Sequence, residues 1–138
     1  LVSTNSSSSE SFSIRFNNSS GANTYGYVTR AFNFAATATN TNSATAATSI
    51  ITGATSFAAG SAQANAYMDF YIGVQATGST KNMYVRGTGW GAEGSGVTDG
   101  YMVDFAGVWK GTATATSFRI FLPTQTYTGI IYLYEVAI

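Results

Sequence analysis

The chain has no cysteine, no histidine and a single proline, and only 9% of its 138 residues are charged. Without cysteine there is no disulfide framework, zinc–thiolate site, iron–sulfur cluster or thiol nucleophile. Without histidine there is no Ser-His-Asp triad, no imidazole metal ligand and no side chain that ordinarily titrates near neutral pH. Carboxylates, lysine, tyrosine and hydroxyls remain, mostly dispersed. The chain therefore reads as a non-enzyme, with no cofactor and no metal. Six Lys+Arg balance six Asp+Glu, and a neutral chain offers no electrostatic footprint for nucleic acid or an anionic membrane. No apolar run approaches the roughly 20 residues that cross a bilayer.

Leucine is scarce too, with three copies against eight each of Ile and Val and nine each of Tyr and Phe. That balance disfavours helix and favours strand. Ser, Thr, Asn and Gln make up 48 of the 138 residues, so hydroxyls and amides take the place of charges on the surface. The 45% hydrophobic content is still enough apolar surface to offset chain entropy over most of the length. Length allows one domain, residues 1–138, because single cores use roughly 100–200 residues.

Strand signals run along the chain. Ser3 to Ser11 reads as a solvated loop. Phe12, Ile14 and Phe16 alternate with Ser13 and Arg15, the pattern of a half-buried strand. Asn17-Asn18-Ser19-Ser20-Gly21 is a turn, since Asn and Gly tolerate positive φ. Strand character resumes from Tyr25 to Phe34, with Val28, Phe32 and Phe34 on one side and Tyr25 and Tyr27 on the other. Ala35 to Ala46 has no apolar stripe and is read as a long loop with an edge strand in question. Ser49 to Phe57 is a short strand around Ile50 and Ile51.

The second half is more regular. Ala66, Met68, Phe70, Ile72 and Val74 alternate with Tyr67, Asp69, Tyr71 and Gly73, five matches at period two. Met83 and Val85 point one way, Tyr84 and Arg86 the other. Gly87 to Gly100 is a glycine-dense loop. Tyr101, Val103, Phe105 and Gly107 form a strand, as do Thr116, Phe118, Ile120 and Leu122, ended by Pro123. Ile130 to Ile138 is apolar on both faces, as expected of a central strand between two sheets. The sum is an all-β, two-sheet antiparallel sandwich, a jelly roll of about eight strands. Its expected core is Phe70, Ile72, Phe105, Phe118, Ile120 and Leu133.

Two groups of residues suggest sites. Gly89-Trp90-Gly91-Ala92-Glu93-Gly94 spells G-x-G-x-x-G, but a dinucleotide site needs a helix directly afterwards and a strand follows instead. The same loop carries Trp90, Glu93 and Asp99, and Tyr101 follows it. An indole beside two carboxylates can stack on a sugar while the acids accept its hydroxyl hydrogen bonds. A glycosidase acid–base pair would need its carboxyls roughly 5–9.5 Å apart, a separation sequence does not give. Calcium could draw on loop carbonyls plus Asp99, although no Asp/Asn-dense loop of EF-hand type exists. Tyr67, Tyr71 and Tyr84 lie opposite the core-facing residues, and exposed aromatics on sheets mark interfaces. Asp69, Asp104, Arg15, Arg86 and Arg119 read as outward mid-strand charges that keep the sheets soluble.

A resemblance rests on both ends of the chain. Gly107-Val108-Trp109, then Ala115-Thr116-Ser117-Phe118-Arg119-Ile120, then Gly129-Ile130-Ile131-Tyr132-Leu133-Tyr134 resembles the ending of a broad group of small bacteriophage virion proteins. Phe12-Ser13-Ile14-Arg15-Phe16-Asn17 with Gly21-Ala22-Asn23 and Tyr25 is similar to an upstream segment of that group. Ser19 stands where Asp is common there, and Glu135 where Gly is usual, so fold and virion role carry over and a ligand site does not. The resemblance implies a jelly-roll structural protein of the phage particle: capsid decoration, head fibre or tail fibre. Its expected partners are other virion proteins and further copies of itself, a trimer being favoured. It also implies a further strand upstream, so a longer parent chain, or an N-terminal region attached elsewhere in an assembly, is expected. The alternative is a carbohydrate-binding or receptor-binding β-sandwich using the Trp90-Glu93-Asp99 loop on a host surface glycan. A bacterial surface or adhesin module is a third reading.

Overall fold

The computed structural model describes residues 2–4, 10–33, 39–56, 64–77, 80–92, 100–123, 126–128 and 130–135. Ten strands follow in order: β1 (Val2–Thr4), β2 (Glu10–Phe16), β3 (Tyr25–Asn33), β4 (Thr39–Ala47), β5 (Ile50–Ser56), β6 (Ala64–Thr77), β7 (Thr80–Ala92), β8 (Gly100–Trp109), β9 (Phe118–Phe121) and β10 (Thr126–Thr128). Eight of them have four residues or more, and the other two, β1 and β10, have three. No helix occurs among the described residues. The large sheet runs β10-β1-β6-β7-β8-β3-β4 and the small one β5-β2-β9. Every pairing is antiparallel. The chain is an all-β sandwich of two sheets. Two long-range pairs are nested, β2 with β9 and β3 with β8, while β6, β7 and β8 form a meander.

Between the sheets lie Phe12, Ile14 and Phe16 from β2, Tyr25 from β3, Ile50 from β5, Val85 from β7, and Val103, Phe105 and Trp109 from β8. Ile120 from β9 and Leu122 just after it complete the cluster. The alternation that predicts β2 and β6 holds, because each places its large apolar side chains on one face and polar or phenolic ones on the other. Of the expected core, Phe105 and Ile120 are buried, and Phe70, Ile72 and Phe118 are partly buried against them. The ring of Phe70 lies 6.4 Å from that of Phe105 and 6.3 Å from that of Phe118, the latter edge-on. On β3 the inward face is Tyr25, Tyr27, Thr29 and Ala31, with Val28 turned to solvent.

Several expectations are overturned. Leu133 is 77% exposed, and Ile130 to Glu135 form no strand. Apolar on both faces, that segment finds cover only where two surfaces close on it, and residues from other strands already fill the core. Val2–Thr4, inside a stretch read largely as loop, is a strand bridging β6 and β10. In Ala35 to Ala46, read as a long loop with an edge strand in question, the edge strand is present: Thr39–Ala47 is a nine-residue strand along β3 at the end of the large sheet. It buries little, so it lacks an apolar stripe. Gly87–Ala92, also read as loop, continues β7, paired on both sides. The strand expected at Thr116 to Leu122 is shorter, Phe118–Phe121.

Residues 16–25 and 114–117 form one hydrogen-bonded unit. Asn17 and Asn18 take positive φ, 48° and 54°, as an Asn turn permits. The Asn17 side-chain oxygen then accepts from the Thr116 N–H (2.8 Å), the Ser117 N–H (3.2 Å) and the Thr116 hydroxyl (3.2 Å). Its amide donates to the Thr114 carbonyl at 2.8 Å. Tyr25, fully buried, accepts the Phe16 N–H at 2.9 Å and donates to the Ser19 carbonyl at 3.0 Å. Trp109 stacks on Phe16 with centroids 5.6 Å apart.

Candidate binding face

The outer face of the large sheet collects the exposed aromatic and charged side chains. Register sorts them into rows across β6, β7, β8, β3 and β4. The first row is Tyr67, Trp90, Met102 and Phe32. The second is Asp69, Thr88, Asp104, Arg30 and Thr41. The third is Tyr71, Arg86, Ala106, Val28 and Ser43. In the fourth, Tyr84 stands between Gly73 and Val108. A polar row thus crosses the middle of the face, with aromatic side chains on both sides of it.

The individual residues are well exposed. Tyr67 is 52%, Tyr71 66%, Tyr84 42% and Trp90 47% accessible, so all four rings meet solvent. Tyr67 and Trp90 are directly opposed, their rings inclined by 25° with centroids 6.5 Å apart. Arg30 lies directly opposite Asp104 across β3 and β8. Its guanidinium also sits 4.9 Å from the ring centre of Phe32, a cation–π contact that holds the charged group in place. Arg86 is one row from Asp104 on the neighbouring strand. A shallow depression of about 340 Å³ lies between the second and third rows, lined by Val28, Arg30, Arg86, Thr88, Asp104 and Ala106.

Trp90 therefore stands on strand β7 and not on a loop. Glu93 and Asp99 lie outside the described residues, and Tyr101 is the second residue of β8. The structure brings Trp90 together with Tyr67, Tyr71 and Tyr84 on a single face. Asp69, Arg86 and Asp104 are exposed on that face, as their strand positions predict. Arg30 and Thr88 are not singled out by sequence, although within β7 the spacing of two residues puts Thr88 on the face of Arg86 and Trp90. Among the described residues no group of three or more acidic side chains could hold a metal ion. Asp99, the residue named for calcium, is outside them.

Burial pushes the Tyr25 phenol above its ordinary value, and the Phe16 backbone hydrogen bond and the Arg15 charge oppose that shift. On the small sheet, Arg15 and Arg119 are paired directly across β2 and β9. Both guanidiniums lie over the Phe121 ring, at 4.6 and 5.1 Å, which offsets part of the repulsion between like charges in register. Comparison with protein-family models, with curated proteins and with solved structures finds no match to this chain.

Proposed function

We propose that this chain is a non-enzymatic structural protein of a bacteriophage particle, of the capsid-decoration, head-fibre or tail-fibre kind, acting through contacts between copies of itself. The observation that carries the reading is the segment Ile130-Ile131-Tyr132-Leu133-Tyr134, whose side chains are 53–78% exposed. Five consecutive large apolar residues of high strand propensity are an association hazard unless another surface covers them. The same chain offers a complement. Among the described residues, β5 and β9 each pair on one side only, and an open strand edge accepts an added strand. A strand-forming segment and an open edge on one chain favour closed exchange between identical copies. The resemblance at both ends of the chain supplies the virion context, and a trimer is the favoured assembly.

Light scattering at micromolar concentration tests the association. An oligomer is expected, reduced to monomer by Leu133→Asp with the folded spectrum kept, because Leu133 is not among the core residues. A 14.4 kDa monomer at that concentration refutes the subunit-contact reading. Particle membership is tested separately: the chain should copurify with phage particles at fixed stoichiometry, and its absence from them removes the virion assignment.

A further inference from the structure

We infer that the outer face of the large sheet is a saccharide-binding site, with a neutral oligosaccharide lying across the Trp90 row and the Arg30–Asp104 row. The inference does not depend on the virion reading. Its first support is chemical pairing. A pyranose has an apolar C–H face and an equatorial rim of hydroxyls. Trp90 and Tyr67 supply exposed rings for the first. Arg30, Thr88, Asp104 and Arg86 supply donors and acceptors for the second. One row to the next is two residues along a strand, about 7 Å, a distance one sugar ring spans. On the far side of the Arg30–Asp104 row from Trp90, the depression of about 340 Å³ beside Val28 and Ala106 lies at the small end of the range for ligand sites.

The second support is what the face does not suit. Centres of protein–protein interfaces are enriched in aromatics, Met and Arg but depleted in Asp, and the middle of this face holds Asp69 and Asp104, both exposed beside Arg30 and Arg86. Covering four charges with another subunit would require desolvating all of them. A sugar replaces their water with hydroxyls and keeps them hydrogen-bonded. The third support is charge balance. Two guanidiniums and two carboxylates cancel, so an acidic saccharide gains no net attraction from the face and must desolvate its own charge beside Asp69 and Asp104. A neutral glycan meets no net charge.

The two tryptophans make the test direct. Trp90 is 47% exposed and Trp109 only 2%, so acrylamide quenching reports almost wholly on Trp90. The folded protein is titrated with maltohexaose, cellohexaose, xylohexaose and chitohexaose, and with an oligogalacturonate as the acidic arm. At least one neutral oligosaccharide should shield Trp90 saturably, with Kd of about 1 mM or tighter. Calorimetry on Trp90→Ala and on Asp104→Ala should show at least a tenfold loss for that sugar. Both residues are exposed on the sheet, so denaturation midpoints should stay near that of the parent. No shielding by any neutral sugar, binding of the acidic arm alone, or undiminished binding by the two variants would each overturn the assignment. Shielding of Trp90 by raised protein concentration alone would identify a second copy as the occupant and overturn it as well. Loss of oligomers in Leu133→Asp with sugar binding kept separates failure of the association reading from failure of this one.

Discussion

Replacing Tyr25 by Phe removes the oxygen that ties β3 to the end of β2 and to the turn that follows it. That oxygen accepts the Phe16 N–H at 2.9 Å and donates to the Ser19 carbonyl at 3.0 Å, with a longer contact of 3.3 Å to the Phe16 carbonyl. Tyr25 is fully buried, so water does not replace the lost partner. Leaving a buried donor unsatisfied costs about 1–3 kcal/mol, and with the second bond also lost we expect about 2–3 kcal/mol. For a domain of this size that lowers Tm by roughly 6–12 °C. The apolar ring is retained, so the loss belongs to the hydroxyl and not to packing.

The same oxygen gives the prediction a pH signature. An unfolded phenol ionises near its ordinary value of 10.0, whereas burial raises that of folded Tyr25. Between the two values the unfolded chain binds fewer protons than the folded one, so stability falls as pH rises. The contribution is fully present below pH 10 and is lost as pH climbs through the folded value. Tyr25→Phe has no such proton. Urea denaturation of both proteins at pH 7, 9, 10 and 11 should show a gap that is constant at the lower values and narrows above pH 10. A gap below about 0.5 kcal/mol at pH 7, or one that stays constant to pH 11, would falsify the role given to this hydroxyl.

Three further substitutions follow from the same contacts. Asn17→Ala loses four side-chain hydrogen bonds and forces alanine into a positive φ of 48°. About 2–3 kcal/mol of destabilisation is expected in urea, and an unchanged midpoint contradicts the clamp. Gly87→Ala drives its Cβ into the Asp69 carbonyl oxygen and to 2.5 Å from the Phe70 Cβ. Backbone cannot yield there as a flexible tip could, so a loss of about 3 kcal/mol or more is expected, and a soluble protein of parental Tm argues against the close approach of β6 and β7. The buried Trp109 indole N–H has no hydrogen-bond partner among the described residues, so Trp109→Phe should cost less than about 1.5 kcal/mol. Phe105→Ala, in contrast, should cost about 3–5 kcal/mol; denaturation midpoints in the reverse order would show that the indole N–H is satisfied.

How much of this was legible in the sequence depends on which force forms each strand. Where burial of one face does it, period two is written plainly, as in Met68, Phe70 and Ile72 against Tyr67, Asp69 and Tyr71. Where the ladder alone does it, the signal fades. Thr41, Asn42, Ser43, Thr45 and Ala46 of β4 are all exposed, and their strand is held by pairing to β3, which composition does not report. The C-terminal Ile-Ile-Tyr-Leu-Tyr run fails in the opposite sense. Its residues state that it must be covered, but not whether the cover comes from its own chain. Asn17 was legible as a turn residue. That its side chain would reach Thr114, Thr116 and Ser117 depends on β2 lying beside β9, a pairing about a hundred residues apart in the chain.

The glycines of β7 join these levels. Along Arg86-Gly87-Thr88-Gly89-Trp90 the glycines occupy every second position, and in a strand every second position is one face. Gly87 and Gly89 are both buried. At Gly87 the inner space is already taken by Phe70 and Phe105, so a side chain has no room. With the inner face reduced to backbone, the strand keeps its ladders on both sides while Arg86, Thr88 and Trp90 point outward. A glycine run that composition reads as a loop is therefore a strand with one face removed. The large rings beneath it and the binding groups above it are both consequences of that spacing. A β-branched residue at position 87 would press on Phe70 and Phe105 and displace the backbone that carries Arg86 and Thr88, so it would disturb the core and the outer face together.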